Sequence, residues 1–280
     1  MTPEKYHILI PTDFSQNAWS ATVYALNLYA DHPCTFYLLN SFSLDHTDSR
    51  SYITTRFLDS LTETSRTELS ALKDRAAELY SNPNHEFEVI STSEEITLAI
   101  KRAVQINNID LVVTGTKGAT GVNKYFLGSN TVKVMQSLKS CPMLAVPDAY
   151  EFKAPTHMAF PTDFTRVYEA KELQALLNFA DLYQAHIYVL HIKLQSELSE
   201  RQNSNMRVLQ AHLVNHQHTF HWVEKSATKS DEINEFVKDL KIDVLAMVNY
   251  KHSFVERVIK EPVIKKIGFQ PMVPFLVIPE

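Results

Sequence analysis

The amino-acid sequence predicts two doubly wound α/β domains in tandem, and three observations lead to this fold class. The chain has 280 residues, of which 45% are hydrophobic and 21% charged, enough for two globular domains of ordinary size. The segment "HILIPTDFS" at 7–15 returns as "HMAFPTDFT" at 157–165, so the chain contains an internal repeat. Within each repeat, short apolar runs alternate with longer helical patterns, which is typical of β-α-β units.

The first repeat is predicted to contain five strands and four helices. Its later apolar runs are nearly continuous, as expected for parallel strands that helices cover on both faces. We predict strands at 6–11, 35–40, 86–91, 110–114 and 143–146, separated by helices over 16–30, 55–80, 94–107 and 130–138.

The second repeat carries the same landmarks. "NIDLVVTG" at 108–115 corresponds to "KIDVLAMVN" at 241–249. The join near 147–156 is rich in proline and short polar residues, so we place the two domains at 1–149 and 155–280. The predicted strands of the second repeat lie at 157–161, 186–191, 219–223, 244–248 and 274–278.

Composition and charge argue against several classes of protein. The formal net charge of −5 gives no broad basic surface for nucleic acid. No apolar run approaches the roughly 20 residues that span a bilayer, and the first residues lack the pattern of a signal peptide. Cys34 and Cys141 are the two cysteines and form no CxxC motif. We therefore expect a cytoplasmic protein with no membrane or nucleic-acid partner.

Glycine is concentrated in one stretch. The chain has five glycines, and four of them lie in "GTKGATGVNKYFLGS" at 115–129. Gly115 directly follows the predicted fourth strand, and Asp13 directly follows the first. In an open parallel sheet, ligands bind at the carboxyl ends of the strands, so these two loops are expected to border one crevice. Glycine there permits a positive φ or a close approach of the backbone.

The end of the glycine-rich stretch points to an anionic ligand. Gly128 and Ser129 lie where the last helix of the repeat begins, and a helix N-terminus offers free N–H groups to an anion. Ser129 is expected either to cap this helix or to bind a phosphate oxygen, and Lys117 and Lys124 add positive charge. Neither GxxxxGK[ST] nor GxGxxG is present, which excludes the P-loop and dinucleotide motifs. The alternative is a loop that uses glycine only for tight turns.

The pattern Gly115-x2-Gly118-x9-Gly128-Ser129 resembles the ATP-binding motif of the universal stress protein family. The Pro-Thr-Asp that ends the first strand and the closing "CPMLAVP" at 141–147 are also similar to that family. The resemblance covers nearly the whole chain as a tandem member. It implies two Rossmann-like domains of the adenine nucleotide alpha hydrolase-like type, each a five-stranded parallel sheet of order 3-2-1-4-5. It also implies a role in the stress response.

The resemblance further implies which residues bind the nucleotide, expected to be ATP or AMP/ADP with or without Mg²⁺. It assigns no catalytic residue, so at most weak ATP hydrolysis is expected. A slow ATPase and a nucleotide-independent interaction module with a vestigial site stay open as alternatives. The implied nucleotide-binding residues are Pro11, Thr12, Asp13 and Ser41 at the adenosine end, Thr114, Gly115, Lys117 and Gly118 in the loop, and Gly128, Ser129, Asn130 and Thr131 at the phosphates.

The second repeat departs from this motif. Asp163 is retained, but Asn249 and His252 stand where Gly115 and Gly118 would be. Lys260 and Glu261 replace the glycine and serine at the helix start, and a carboxylate there would repel a phosphate. We therefore expect this copy to bind no ATP in the family's manner. It is expected either to act as a partner domain or to bind a different ligand near Asp163 and His252.

Histidines also cluster in the second repeat, at 212, 216, 218 and 221. Residues 212 and 216 share a helix face, but no adjacent set of carboxylate ligands accompanies them. We predict no metal site.

The last strand of each repeat is predicted to form the contact between the domains. Family dimers pair through this strand, and an apolar edge strand aggregates unless it is paired. We therefore expect an intrachain pseudo-dimer, with a homodimer as a further possibility. A chain ending at Tyr150 should dimerise or precipitate, which size-exclusion chromatography would detect. A stable monomer would contradict the pseudo-dimer.

Overall fold

The computed structural model describes residues 5–42, 55–116, 127–193, 197–224, 226–250 and 272–280. The chain divides into two compact units, Met1–Ala149 and Tyr150–Glu280. Each unit is a parallel β-sheet combined with α-helices, so the predicted α/β class is confirmed. Each predicted strand and helix is present, with ends that differ by at most two residues.

The first unit has the strand order β3-β2-β1-β4-β5. All four pairings between its strands are parallel. Its elements along the chain are β1 Tyr6–Pro11, α1 Gln16–Leu28, β2 Cys34–Ser41, α2 Thr55–Leu79, β3 His85–Thr92, α3 Ile96–Ile106, β4 Leu111–Gly115, α4 Ser129–Ser137 and β5 Met143–Val146.

The second unit repeats this order as β8-β7-β6-β9-β10. Its strands are likewise parallel to one another. The elements are β6 His157–Pro161, α5 Ala170–Asp181, β7 His186–Lys193, α6 Glu200–His212, β8 His218–Glu224, α7 Lys229–Asp239, β9 Val244–Asn249 and β10 Phe275–Pro279.

Burial distinguishes the central strands from the outer ones. All six residues of β9 are buried, and so are four of the five in β4, because layers on both faces cover these strands. Strand β3, at the end of its sheet, has no buried residue. Ile8 and Leu9 of β1 pair with Leu111 and Val112 of β4, so the carboxyl ends of β1 and β4 lie side by side.

The repeated Pro-Thr-Asp-Phe segment forms the same turn in both units. Phe14 has φ 61° and Phe164 has φ 55°, a left-handed conformation that is unusual for phenylalanine. In each unit the phenylalanine N–H donates to the threonine Oγ1 two residues earlier, at 3.0 Å and 3.1 Å. This hydrogen bond helps to hold the turn and orients the intervening aspartate at the end of the first strand.

Candidate functional site

The loop after β1 lies at the carboxyl edge of the first sheet. Pro11 pairs with Leu39 at the end of β1, and Thr12 continues the ladder through its N–H to the Leu39 carbonyl at 2.8 Å. The Thr12 carbonyl accepts from the Asn40 amide at 2.8 Å. Asp13 follows as an exposed residue whose Oδ1 accepts the Ser15 N–H at 3.1 Å. The loop is therefore ordered by its own hydrogen bonds, and Asp13 stands at the surface.

Ser41 ends the neighbouring strand β2 at the same edge. Its hydroxyl donates to the Glu94 carbonyl at 2.6 Å, and the residue is half-buried. A hydroxyl that donates to the protein still has lone pairs for a ligand donor. The position of Ser41 is thus compatible with its predicted role.

The backbone at Gly115 closely approaches a side chain of the protein itself, that of Asn17. A Cβ at this position would lie 2.0 Å from Asn17 Oδ1 and 2.7 Å from Asn17 Cγ. Asn17 is buried in the first turn of α1, and its amide reaches Asp148 Oδ1 at 3.4 Å. Of the two expected reasons for glycine, a close approach applies at Gly115, since none of the described glycines has a positive φ. Glycine is needed at 115 because α1 packs directly on the end of β4.

Helix α4 begins without a side-chain cap. Gly128 is the N-cap residue, and it contributes no side-chain hydrogen bond. Of the two roles expected for Ser129, capping is wrong, because Ser129 is already the first helical residue, and the phosphate contact stays a prediction. The first N–H groups of a helix have no intrahelical acceptor, and the helix dipole makes this end positive. The start of α4 is thus suited to an anion.

Two hydrogen bonds attach the start of α4 to the end of β4. The Gly128 N–H donates to the Thr116 carbonyl at 2.5 Å, and Thr131 Oγ1 donates to the Gly115 carbonyl at 3.0 Å. The Thr114 hydroxyl lies 3.4 Å from the same Gly115 carbonyl. The exposed Ser129 follows Gly128. The helix start is therefore held beside the strand end, where the sequence predicted the phosphate site.

Thr116 was not predicted as a site residue. It is 2% exposed, and within the described part of the chain its buried Oγ1 has no hydrogen-bond partner. A buried hydroxyl without a partner is costly, so it marks a place where a polar group would fit. Its position directly after Gly115 was a signal available in the sequence.

Several residues that the sequence analysis singled out lie in segments outside the described residues. Lys117, Gly118 and Lys124 in the first unit lie outside the described residues, as do His252, Lys260 and Glu261 in the second. Asn130 is described and is exposed in the first turn of α4.

The corresponding crevice of the second unit has a different lining. Asn249, the last residue of β9, is buried where the first unit has Gly115. The Asp163 carboxylate accepts from the Thr165 N–H at 3.1 Å and from its hydroxyl at 2.7 Å. A cavity of about 50 Å³ lies beside it, lined by Thr162, Asp163, Tyr168, Lys229, Met247 and Tyr250 among others.

A partly buried ion pair lies next to this cavity. Arg166 Nη2 donates to both carboxylate oxygens of Glu172, at 2.5 Å and 2.6 Å. The Arg166 guanidinium also lies over the rings of Tyr250 and Tyr168, with 4.6 Å and 5.3 Å from its carbon to the ring centroids. Glu172 Oε2 also accepts the Glu169 N–H at the start of α5, at 2.8 Å. Side chains of the protein thus occupy part of the space beside the crevice.

The histidines of the second unit make contacts within the protein. His216 pairs with Asp181 at 3.0 Å. His186 and His221 both reach the Thr219 hydroxyl, at 3.0 Å and 2.9 Å, and burial lowers the pKa of both rings. The described residues include no group of three or more histidine, cysteine, aspartate or glutamate side chains that could hold a metal ion.

A family model described as the universal stress protein family matches residues 6–147. Among curated proteins no match is found. No described helix is both long enough and apolar enough to cross a membrane.

Solved structures match both units together. A universal stress protein from Archaeoglobus fulgidus DSM 4304 has a TM-score of 0.71 at 15% identity, covering 98% of this chain and 96% of that chain. A protein of unknown function from Pseudomonas aeruginosa PAO1 has a TM-score of 0.61 at 14% identity, covering 98% and 92%. At such identities the likeness establishes the fold, which extends over both halves of the chain.

Proposed function

The chain belongs to the universal stress protein family, and we propose that its first unit binds ATP or another adenine nucleotide. In this proposal the protein acts in the stress response as a regulator that depends on its nucleotide state. The observation that carries it is the start of α4, which has no side-chain cap and is attached to the end of β4 by two hydrogen bonds.

The described residues fit a nucleotide with its phosphates at α4. The N–H groups of Ser129, Asn130 and Thr131 belong to the first helical turn, where a phosphate is favoured by hydrogen bonding and by the helix dipole. These groups would hold the phosphates, and the loops that end in Asp13 and Ser41 would border the adenosine.

The second unit does not offer the same phosphate site. Asn249 places a buried side chain where the first unit has Gly115. The described cavity of this unit has a volume of about 50 Å³ and is lined by Tyr168 and Tyr250, whose rings pack against the Arg166 guanidinium. We therefore propose one nucleotide site per chain.

The substitution Ser129→Pro tests the contact between the start of α4 and the phosphates without breaking the helix. Proline is well tolerated at the first helical position, where it removes an N–H group that the helix does not use, and this substitution also removes the Ser129 hydroxyl. Gly128 has φ −62° and ψ 154°, which a following proline accepts. Loss of one hydrogen bond to a charged group should weaken ATP binding about 10- to 100-fold in Ser129→Pro, measured by isothermal titration calorimetry.

The second unit supplies a matched control. Ala170 is the first residue of α5 and follows Glu169, which has φ −78° and ψ 152°. Ala170→Pro should therefore leave both the fold and the affinity for ATP unchanged. Titration of the unaltered chain should give one site. Two equivalent sites would contradict the assignment to the first unit, and no binding would favour the interaction module with a vestigial site.

A further inference from the structure

We propose that α2 is the helix that responds to nucleotide binding in the first unit, and that Ser65 is the positioning residue that connects this helix to the site. The turn at 12–14 follows β1 and bears Asp13, which is exposed at the carboxyl edge of the sheet. A chain of buried hydrogen bonds joins this turn to α2, so a ligand that fixes the turn also stabilises the helix. The connection depends on the proposed function of the first unit, because it concerns the regulation of the same site.

Ser65 is the one polar residue among the four that α2 buries. These four residues are Ser65, Leu69, Leu72 and Ala76. Their helical spacing places them on one side of α2, which packs on β2 and β3. Ser65 is 3% exposed, so its hydroxyl needs partners inside the protein. It has two, Asn40 Oδ1 at 2.9 Å and Ser91 Oγ at 2.8 Å.

The direction of each hydrogen bond follows from the Thr12 carbonyl. This oxygen only accepts, so the Asn40 atom that lies 2.8 Å from it is the amide nitrogen, and Oδ1 faces Ser65. Ser65 has a single hydroxyl proton and donates it to Oδ1. The Ser91 hydroxyl therefore donates to Ser65. Aligned hydrogen bonds polarise one another, and two of them, Ser65 to Asn40 and Asn40 to Thr12, connect α2 to the turn.

Asn40 bonds to the residue on which the turn is built. Thr12 is 7% exposed, its N–H donates to the Leu39 carbonyl, and its Oγ1 accepts the Phe14 N–H at 3.0 Å. Phe14 has a left-handed φ of 61°, an unfavourable conformation that these bonds help to hold. Asp13 lies between Thr12 and Phe14, so its orientation depends on the bond from Asn40.

The second unit also bonds its corresponding helix to this turn, by a different route. Asn205 is a buried polar residue of α6 and, like Ser65, lies four residues before a buried leucine. Its amide donates directly to the Phe164 carbonyl at 2.8 Å, and the Gln202 amide donates to the Asp163 carbonyl at 2.8 Å. A link between this helix and the turn thus recurs in both units, and in the first unit it passes through a residue of β2.

Packing of α2 and order in the turn are coupled by this link. Because Ser65 contacts Asn40 while α2 is packed, the turn loses a support whenever α2 opens. A ligand that contacts Asp13 binds the packed state more tightly and shifts the helix toward it. Coupling of this kind is reciprocal, so the factor by which a packed α2 raises the affinity for ATP equals the factor by which ATP favours the packed helix. One neutral hydrogen bond sets this factor at about 3- to 10-fold.

Hydrogen exchange measured by mass spectrometry and titration calorimetry test the connection in the full chain. In the unaltered protein, saturating ATP should slow exchange of the α2 amides about 3- to 10-fold. In Ser65→Ala, the affinity for ATP should fall by about the same factor. Saturating ATP should still slow exchange at the start of α4 in this variant, but exchange in α2 should no longer change. A merely structural role of Ser65 would not give this result, because a less stable helix would still respond to the ligand.

Ser91→Ala is the matched control, since it removes a hydroxyl that donates to Ser65 and leaves the bond from Ser65 to Asn40 in place. This variant should keep both the affinity for ATP and the response of α2. Equal slowing of α2 exchange in Ser65→Ala and in the unaltered chain would overturn the proposal, and so would an unchanged affinity in Ser65→Ala.

The unaltered chain decides the question even if Ser65→Ala folds poorly. ATP that binds without slowing exchange in α2 would overturn the connection and leave the nucleotide site standing. Absence of ATP binding would instead overturn the proposed function itself, and the connection with it.

Discussion

Replacement of Glu172 by glutamine is expected to lower the free energy of unfolding of the second unit by about 3 kcal/mol, the lower end of the range for breaking a buried ion pair. The Glu172 side chain is 5% exposed and accepts two hydrogen bonds from Arg166. Without the carboxylate charge, the Arg166 guanidinium stays in a mostly buried environment, and its other ion-pair contact, Glu280, is 3.7 Å away. The expected loss is at the lower end because the Arg166 side chain keeps 20% exposure.

The measurement is denaturant unfolding of the full chain, followed by Trp222 fluorescence in Trp19→Phe protein. Glu224→Gln is a matched control, because Glu224 pairs with Lys193 at 2.6 Å on the surface of the second unit, which Trp222 reports. An exposed pair of this kind contributes at most about 1 kcal/mol. If the two substitutions lower the free energy of unfolding by the same amount, the Arg166–Glu172 pair contributes no more to the stability of the second unit than an exposed pair does.

Replacement of Gly115 by alanine is expected to lower the free energy of unfolding of the first unit by about 1–3 kcal/mol, the usual cost of overpacking. The added Cβ would meet the Asn17 side chain at 2.0 Å, so either that side chain or the end of β4 must move. Because the Thr131 hydroxyl donates a hydrogen bond to the Gly115 carbonyl, movement of the strand end would displace the start of α4. ATP affinity should therefore fall together with stability.

A double-mutant cycle tests whether the contact with Asn17 causes the loss of stability in Gly115→Ala. Asn17→Ala removes the Oδ1 and Cγ atoms that the new Cβ would meet, so Gly115→Ala should cost less in that background. Part of the cost should remain, since the Asn17 carbonyl oxygen lies 3.0 Å from the same Cβ position. The same cost in both backgrounds would show that another contact is responsible.

Local pattern in the sequence was sufficient to predict the strands and helices. A buried parallel strand needs a run of apolar residues, and the predicted β1 and β5 have the same bounds as the observed strands. Helix ends were less certain: α1 stops at Leu28 and α3 starts at Ile96, each two residues inside the prediction. Helix ends depend on capping bonds, such as those from the Thr97 and Leu98 N–H groups to Glu95 at the start of α3, which compete with the hydrophobic pattern.

The candidate sites depended more on contacts between distant segments. The repeated Pro-Thr-Asp-Phe indicated where the first strand of each unit ends, because its turn is built from neighbouring residues. The sequence did not show that the Asn40 side chain would accept a hydrogen bond from Ser65, because that contact between a strand and a helix exists only in the assembled fold.

The α/β class, the repeat and the position of the glycine-rich segment follow from the local composition and spacing of residues in the sequence. What those residues contact depends on the tertiary structure. Gly115 is required because Asn17, nearly a hundred residues earlier, packs against it, and Ser129 lies inside its helix because Gly128 takes the cap position. Side-chain packing and the satisfaction of buried polar atoms join residues far apart in the chain, so these contacts exist only once the sheet and its helices are assembled.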